Sequence, residues 1–398
     1  MKILIAMFVA LALSTVGADA DGDTVRIGVL TDMSGAYSDN LGPGAVLAAR
    51  IAVDEFNGTV IGKRIELVVA DHQNKADIGI GIIRQWLDVD HVDAVTEMGN
   101  SAVALAARDI VEQHRKPALV VGAASTDLTG KACSRYLSQW NLDTYASANA
   151  ITRALVASGL DTWFFVTVDY SFGTSMEAAA TKTIESVGGK VIGHARHPLG
   201  EHDFAPYLLQ AQSSQAKVVG FISAGTDLID ALKEANEFGL AAGSQKLVPF
   251  LLFPTHVRAL GLGATKGLIV ADSFYADHND ATHKFAAAFM ARFDNKVPTS
   301  NQVAEYLAVH NYLRAVAAAG TDDAEAVTSR LREMDIDNFG ETVRIRADGR
   351  VMRDLYLLQV KSPQEASSPT DYYKYLKTIP AEQAYAPQAQ SECPLLKR

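Results

Sequence analysis

The residues able to do chemistry sit where strand-forming runs stop. One such corner lies in VDAVTEMGNSAVALAARDIV, where Met98, Gly99, Asn100 and Ser101 separate an apolar run from an Ala-rich helical one. A serine there has three possible tasks. It caps its own helix, or it anchors a ligand anion beside first-turn amides that are unpaired and partly positive, or it attacks an acyl group. A nucleophile elbow reads G-x-S-x-G, whereas this stretch is Gly99-Asn100-Ser101-Ala102-Val103 and lacks the closing glycine. Type and placement make Ser101 the expected N-cap. Cap, anchor and nucleophile all remain open on these residues alone.

The next strand ends in VVGAASTDLTG, where Gly122, Ala123, Ala124, Ser125 and Thr126 form a small-residue loop that lets a ligand approach the backbone. The first strand ends in TDMSGAYSDNLGPG, whose glycines do not have dinucleotide-binding spacing, and GLGATKGL fails the phosphate-loop pattern. No nucleotide or other cofactor is expected. His194, His197 and His202 lack metal-ligand spacing and read as surface histidines, so no metal is expected.

These corners need elements to position them. From Thr24 onward, short apolar runs alternate with amphipathic helical runs, as in TVRIGVL before GAVLAARIAVDEF and TWFFVTV before FGTSMEAAATKTIESV. Such alternation predicts an α/β fold with parallel sheets covered on both faces. About ten units is too many for one open sheet. A closed eight-stranded barrel is the rival arrangement. The units fall into two runs separated by the loop SRYLSQWNLDTYAS, and a helical block over 281–334 is followed by one convincing strand, LYLLQV. Two sheets and a chain that crosses back between them fit this better. The tail from Ser362 reads as loop and surface wrap. Open parallel sheets bind ligands beyond the carboxyl ends of their strands, so two facing lobes would enclose a cleft.

The whole chain narrows the setting. Its 398 residues carry a formal net charge of −10, which argues against nucleic-acid or anionic-membrane partners. MKILIAMFVALALSTVGADA has one lysine, a short apolar run and the small-x-small close Ala18-Asp19-Ala20. It reads as a cleaved export signal over residues 1–20, with no cysteine nearby for lipid attachment. The expected location is the periplasm. In an oxidising compartment the two cysteines, Cys133 and Cys393, are expected to form one bridge that staples the C-terminal tail to the body.

Taken together, VRIGVLTDMSGAYSDNLGPGAVLAARIAVDEFNG, the MGNS corner, GAASTDLT, TVDYSFGTSMEAAATKTIESVGGKVIG and HDFAPYLLQAQSSQAKVVGFISAG resemble the leucine/isoleucine/valine-binding (type I) group of periplasmic substrate-binding proteins of ABC importers. The resemblance runs in order over nearly the whole mature chain. It implies two Rossmann-like lobes joined by a three-crossover hinge, closure on a ligand, delivery to a membrane permease, and no catalysis. The lobes are expected to comprise 21–141 with 273–350, and 142–272 with 351–398, and the protein is expected to be a monomer.

The resemblance also assigns site residues. Ser101 falls on the serine that binds the ligand carboxylate, beside Asn100. Ala124 falls near the threonine of the second anchoring loop, with Ala123 and Ser125 flanking it. Phe172 matches an aromatic position, Tyr170 precedes it by two, and Gly225 and Thr226 stand where amino-acid binders carry another aromatic. Tyr37 is expected to close the cleft from the first lobe. The main departure is FLLFPTHVRAL. Amino-acid binders carry an acid there for the ligand ammonium, whereas this chain has Phe253, Pro254, Thr255 and His256. A buried ammonium without a partner is costly. The expected ligand is therefore a carboxylate with an apolar or aromatic body and no α-ammonium, with His256 meeting a ring hydroxyl. The alternative is a branched-chain amino acid whose ammonium meets Asp169 or Asp227. An amide binder of the same family, a ligand sensor on the same fold and a serine hydrolase are the other readings to separate.

Overall fold

The computed structural model describes residues 22–240 and 243–396. The export signal expected over 1–20 lies outside the described residues. The first sheet has the order β2-β3-β1-β4-β5-β6. Its parallel strands are β1 (Thr24–Thr31), β3 (Lys63–Asp71), β4 (Ala94–Glu97), β5 (Ala118–Val120) and β6 (Leu137–Gln139), with short β2 (Thr59–Val60) antiparallel on the edge. Helices α1 (Gly42–Glu55), α2 (Ala76–Asp88) and α3 (Ser101–His114) connect them. Strands β1 and β4 are buried almost throughout because helices cover both faces, which is why they read as continuous apolar runs.

The second sheet is parallel with the order β10-β9-β7-β8: β7 (Thr162–Val168), β8 (Lys190–His197), β9 (Val218–Ile222) and β10 (Lys246–Pro249). Around it lie α4 (Thr144–Ala157), α5 (Ser171–Ser186), α6 (Ala205–Ser213), α7 (Gly225–Glu237), α8 (Pro254–Leu260) and α9 (Leu262–Thr265). Next, β11 (Ile269–Asp272) precedes the late helices α10 (Asp280–Arg292), α11 (Ser300–Ala319) and α12 (Ala324–Glu333). Helix α11 is buried on nearly every face and packs against α1, so its core belongs with the first sheet. A hairpin, β12 (Ile336–Asn338) and β13 (Glu341–Val343), leads back to β14 (Leu355–Val360), which pairs antiparallel with β11.

Three expectations need correction. The tail is not only wrap: it contains β15 (Tyr373–Ile379), antiparallel to β14. Most of that strand is exposed, so it lacked the apolar signal of a covered strand. The loop SRYLSQWNLDTYAS carries β6, whose three residues are too few to show a period and which is defined by pairing with β5. His197 is buried rather than on the surface, with Nε2 2.7 Å from Ser223 Oγ and Nδ1 2.8 Å from the Pro198 carbonyl oxygen. It closes β8, where alternation turns it inward. His194 and His202 are exposed, and no metal-holding cluster exists among the described residues.

The chain passes between the lobes just after β6, after β11 and before β14. A parallel bridge between Gln139 and Arg350 holds two of these crossings side by side. Arg350 is fully buried there, donating to the carbonyls of Gln139 and Asn141. The expected bridge is present: Cys133 and Cys393 are joined across 260 residues.

Candidate functional site

The ends of β4, β5, β7, β9 and β10 face one cleft with about 460 Å³ of space between atoms. Its carboxyl-end position follows the rule for open parallel sheets. At the β4 corner the helix cap is Asn100, not Ser101. Asn100 Oδ1 accepts from the amides of Ala102 at 2.8 Å and Val103 at 3.3 Å. Asparagine caps as well as serine does, and it stands one residue earlier. Ser101 becomes the first helical residue and lines the cleft. Its Oγ accepts from the Ser125 amide at 3.2 Å, which leaves its own hydroxyl hydrogen to donate elsewhere.

Of the second loop, Ala124 lines the cleft. Ala123 and Ser125 do not; their carbonyls accept from Gln139 Nε2 at 2.8 and 3.3 Å and hold the loop to β6. Gly122 permits this arrangement, because a Cβ there would lie 2.5 Å from Glu97 Oε1 and 2.8 Å from the Gly99 Cα. Beneath these two glycines lies a buried acid pair. Burial, and then the nearby Glu305, push the Glu97 carboxyl well above the usual range, while burial pushes Glu305 up to about 8. Neither side chain lines the cleft, and at about 8 the Glu305 carboxyl holds its proton at pH 7.

On the opposite wall, Tyr170 and Phe172 present rings 5.9 Å apart, and Phe253 adds a third aromatic. Tyr37 reaches across from the first lobe, its hydroxyl 2.9 Å from that of Tyr170. Gly225 and Thr226 do not line the space. The Thr226 amide donates to the Ala36 carbonyl at 3.0 Å, and a Cβ on Gly225 would lie 1.9 Å from that oxygen, so this pair is a contact between lobes. His256 is not at the surface of the cleft either. Its ring nitrogens each lie 2.9 Å from an amide nitrogen, of Phe253 and of Gly225. Burial lowers its pKa to about 3, so the ring is neutral and serves the loop.

Sequence reasoning missed Asn40, Leu41, Asn141, Leu142, Leu251 and Asn301, which also line the cleft. They come from crossovers and loops far apart in the chain. Only Asn301 carried a local signal: the capping box formed by Thr299 and Gln302 sets the first turn of α11, where Asn301 sits. Neither acid considered for a ligand ammonium lines the cleft. Asp169 is exposed and pairs with Arg196 at 3.3 Å, while buried Asp227 accepts from the Gly200 amide at 3.0 Å.

The profile of the periplasmic binding protein family matches residues 24–366. A periplasmic binding protein from Burkholderia mallei is 42% identical, with a TM-score of 0.91 over 94% of this chain and 99% of that one. A branched chain amino acid ABC transporter periplasmic ligand-binding protein from Burkholderia xenovorans LB400 is 36% identical, with a TM-score of 0.82 over 93% and 99%. Leu/Ile/Val-binding protein homolog 6 of Brucella melitensis is 24% identical over 93% of this chain and 95% of its own length. A solute binding protein of an ABC transporter from Rhodopseudomonas palustris BisB5, in complex with 3,4-dihydroxy benzoic acid, shares the fold at 21% identity, TM-score 0.83, over 90% and 98%. With its two lobes and interlobe cleft, the chain belongs to the periplasmic binding protein family and is an ABC-transporter substrate-binding protein of the type I fold.

Proposed function

We propose that the cleft takes a small carboxylate with an aromatic or apolar body and no α-ammonium, for delivery to a membrane permease without chemical change. The observation that carries this is the make-up of the cleft: Ser101 offers a hydroxyl hydrogen, four aromatic rings line the space for the body, and no charged side chain lines it. A carboxylate matches donors at a helix N-terminus. An ammonium would be desolvated with no carboxylate to receive it. The aromatic-acid complex of the R. palustris relative supports this reading. The names of the B. xenovorans and Brucella relatives favour a second one, a branched-chain amino acid.

Ser101 Oγ accepts from the Ser125 amide, an arrangement in keeping with a binding role for this residue. The proposed lobes are 21–141 with 273–350 and 142–272 with 351–398, in keeping with the core shared by the first sheet and the late helices. We further propose that residues 1–20 direct export to the periplasm and that the protein works there as a monomer.

A thermal-shift panel on protein stripped of ligand by unfolding and refolding tests the ligand class. Aromatic acids at about a hundredfold above Kd should stabilise by roughly 2.7 kcal/mol, with leucine and valine inert. Ser101→Ala should weaken that binding by roughly 1.5–3 kcal/mol, the range for a hydrogen bond to a charged group. A shift with leucine or valine alone overturns the reading in favour of the second.

A further inference from the structure

The proposed carboxylate reading leaves the other end of the ligand unspecified, and a chain of hydrogen bonds behind the cleft bears on it. Arg353 is buried at the crossing before β14, and a guanidinium can only donate. Its Nη1 lies 3.4 Å from Ser273 Oγ, and its Nη2 donates to the Ser273 carbonyl at 3.0 Å. With Ser273 Oγ accepting from Arg353, its own hydrogen goes to Asn141 Oδ1 at 2.6 Å. That makes the other end of the Asn141 amide the nitrogen. Asn141 Nδ2 donates to Asn301 Oδ1 at 2.5 Å and faces Ser300 Oγ at 3.4 Å.

The direction of the chain is therefore set by Arg353, through Ser273, at Asn141. Asn301 must place its carbonyl oxygen toward Asn141 and its NH₂ away from it. Asn301 lines the cleft while only 6% exposed, and its Nδ2 has no protein acceptor among the described residues. The tyrosine pair adds to the same bias: two hydroxyls share one hydrogen bond, so one O–H hydrogen is left over.

We propose that Asn301 is a specificity-determining residue whose amide NH₂ donates to a second acceptor oxygen of the ligand, an oxo, hydroxyl or carboxylate oxygen beyond the anchoring carboxylate. An ammonium at that place meets a donor and is rejected; a bare methylene leaves the buried NH₂ unpaired. This deepens the carboxylate reading and rests on it.

The test uses two sets of matched probes, titrated calorimetrically. In one the second group is next to the carboxylate: phenylpyruvate, phenylalanine and 3-phenylpropanoate. In the other it is across the ring: 4-formylbenzoate, 4-(aminomethyl)benzoate and 4-methylbenzoate. In at least one set, the oxo member should bind the wild-type protein about tenfold tighter than the plain acid and tighter still than the ammonium. Asn301→Ala should abolish that advantage and change the plain acid less than about threefold. Asn301→Asp keeps the oxygen that accepts from Asn141 and exchanges only the NH₂, so it should shift the oxo-to-ammonium ratio toward the ammonium, with a lower melting point in the absence of ligand because its buried carboxyl has no cation beside it. If Ser101→Ala weakens every acid but the oxo advantage is absent or survives Asn301→Ala, the inference fails and the carboxylate reading stands. If no acid binds and only phenylalanine does, both fail.

Discussion

Polar side chains at this cleft act through the direction in which they are held. Ser101 donates because Ser125 occupies its oxygen, and His256 is withdrawn because both ring nitrogens face backbone amides. The buried acids beneath the cleft floor carry a pH consequence. Thr96 donates to Glu305 Oε1 at 2.6 Å, the Gly99 amide donates to Glu97 Oε2 at 2.8 Å, and Glu305 Oε2 has no hydrogen-bond partner among the described residues. With its folded pKa raised from 4.5 to about 8, Glu305 keeps in the native state a proton that the unfolded chain releases. Stability should therefore fall as pH rises from about 4.5 to 8, by at most about 1.4 kcal/mol per unit for this group, then level off. His256 acts oppositely, losing stability as pH falls below 6.5, so the comparison must isolate one residue. Glu305→Gln, compared with wild type by urea unfolding across pH 5–8, should gain relative stability toward pH 8. A pH-independent difference would mean that Glu305 is already ionised in the folded protein.

Among elements, helix α3 joins stability to binding. Its cap comes from Asn100, and capping places the hydroxyl of the next residue at the cleft. Asn100→Ala should lower stability by about 1 kcal/mol and weaken binding of the aromatic acid as well, measured by denaturant midpoint and calorimetry. A lower midpoint with unchanged affinity would separate the cap from the site. The loop before α8 plays a related part across the lobes. Thr255 Oγ1 donates to Asn40 Oδ1, and Asn40 Nδ2 lies 3.3 Å from His256 Nε2. Through these bonds Thr255 and His256 form a contact between the two walls of the cleft.

For the whole molecule, closure is governed by what ties the lobes together. Hinge closure around a ligand is the general behaviour of this family. Buried Arg350 joins two of the three crossings, buried Arg353 ties in the third at Ser273, and the C-terminal tail adds a further tie. It leaves β15, lays Ala384 and Tyr385 in the core beside α4, stacks Tyr385 under Arg350 at 4.7 Å, and ends in the bridge to Cys133. Closing so long a loop restricts the unfolded chain strongly. Reduction should cost roughly 2–5 kcal/mol, seen as a lower melting temperature in dithiothreitol that is reproduced by Cys133→Ala without reductant. Equal melting with and without reductant would show that the bridge contributes nothing to stability.

Several features were legible in the residues alone because each depends on local periodicity or on a fixed motif. The alternation of apolar and amphipathic runs determined parallel α/β sheets, since strands covered on both faces must be apolar throughout. The MGNS corner determined that a helix starts at the end of β4. The scarcity of cysteines left one intramolecular pairing. The short β6, the exposed β15 and the burial of His197 were not legible, because pairing and packing partners far along the chain create them. The same holds within the cleft. Ser101, Ala124, Tyr37, Tyr170, Phe172 and Phe253 lie at strand ends that the motif order points to, and the structure brings all six to one space. Asn40, Asn141 and Asn301 reach it only when residues 40, 141 and 301 are folded together. The direction of their hydrogen bonds depends on Arg353 and Ser273, which no local pattern connects to them. Composition and period thus determined the elements and their kind. Tertiary structure alone decided which hydrogens face the ligand, because a polar group's direction is set by its neighbours in space.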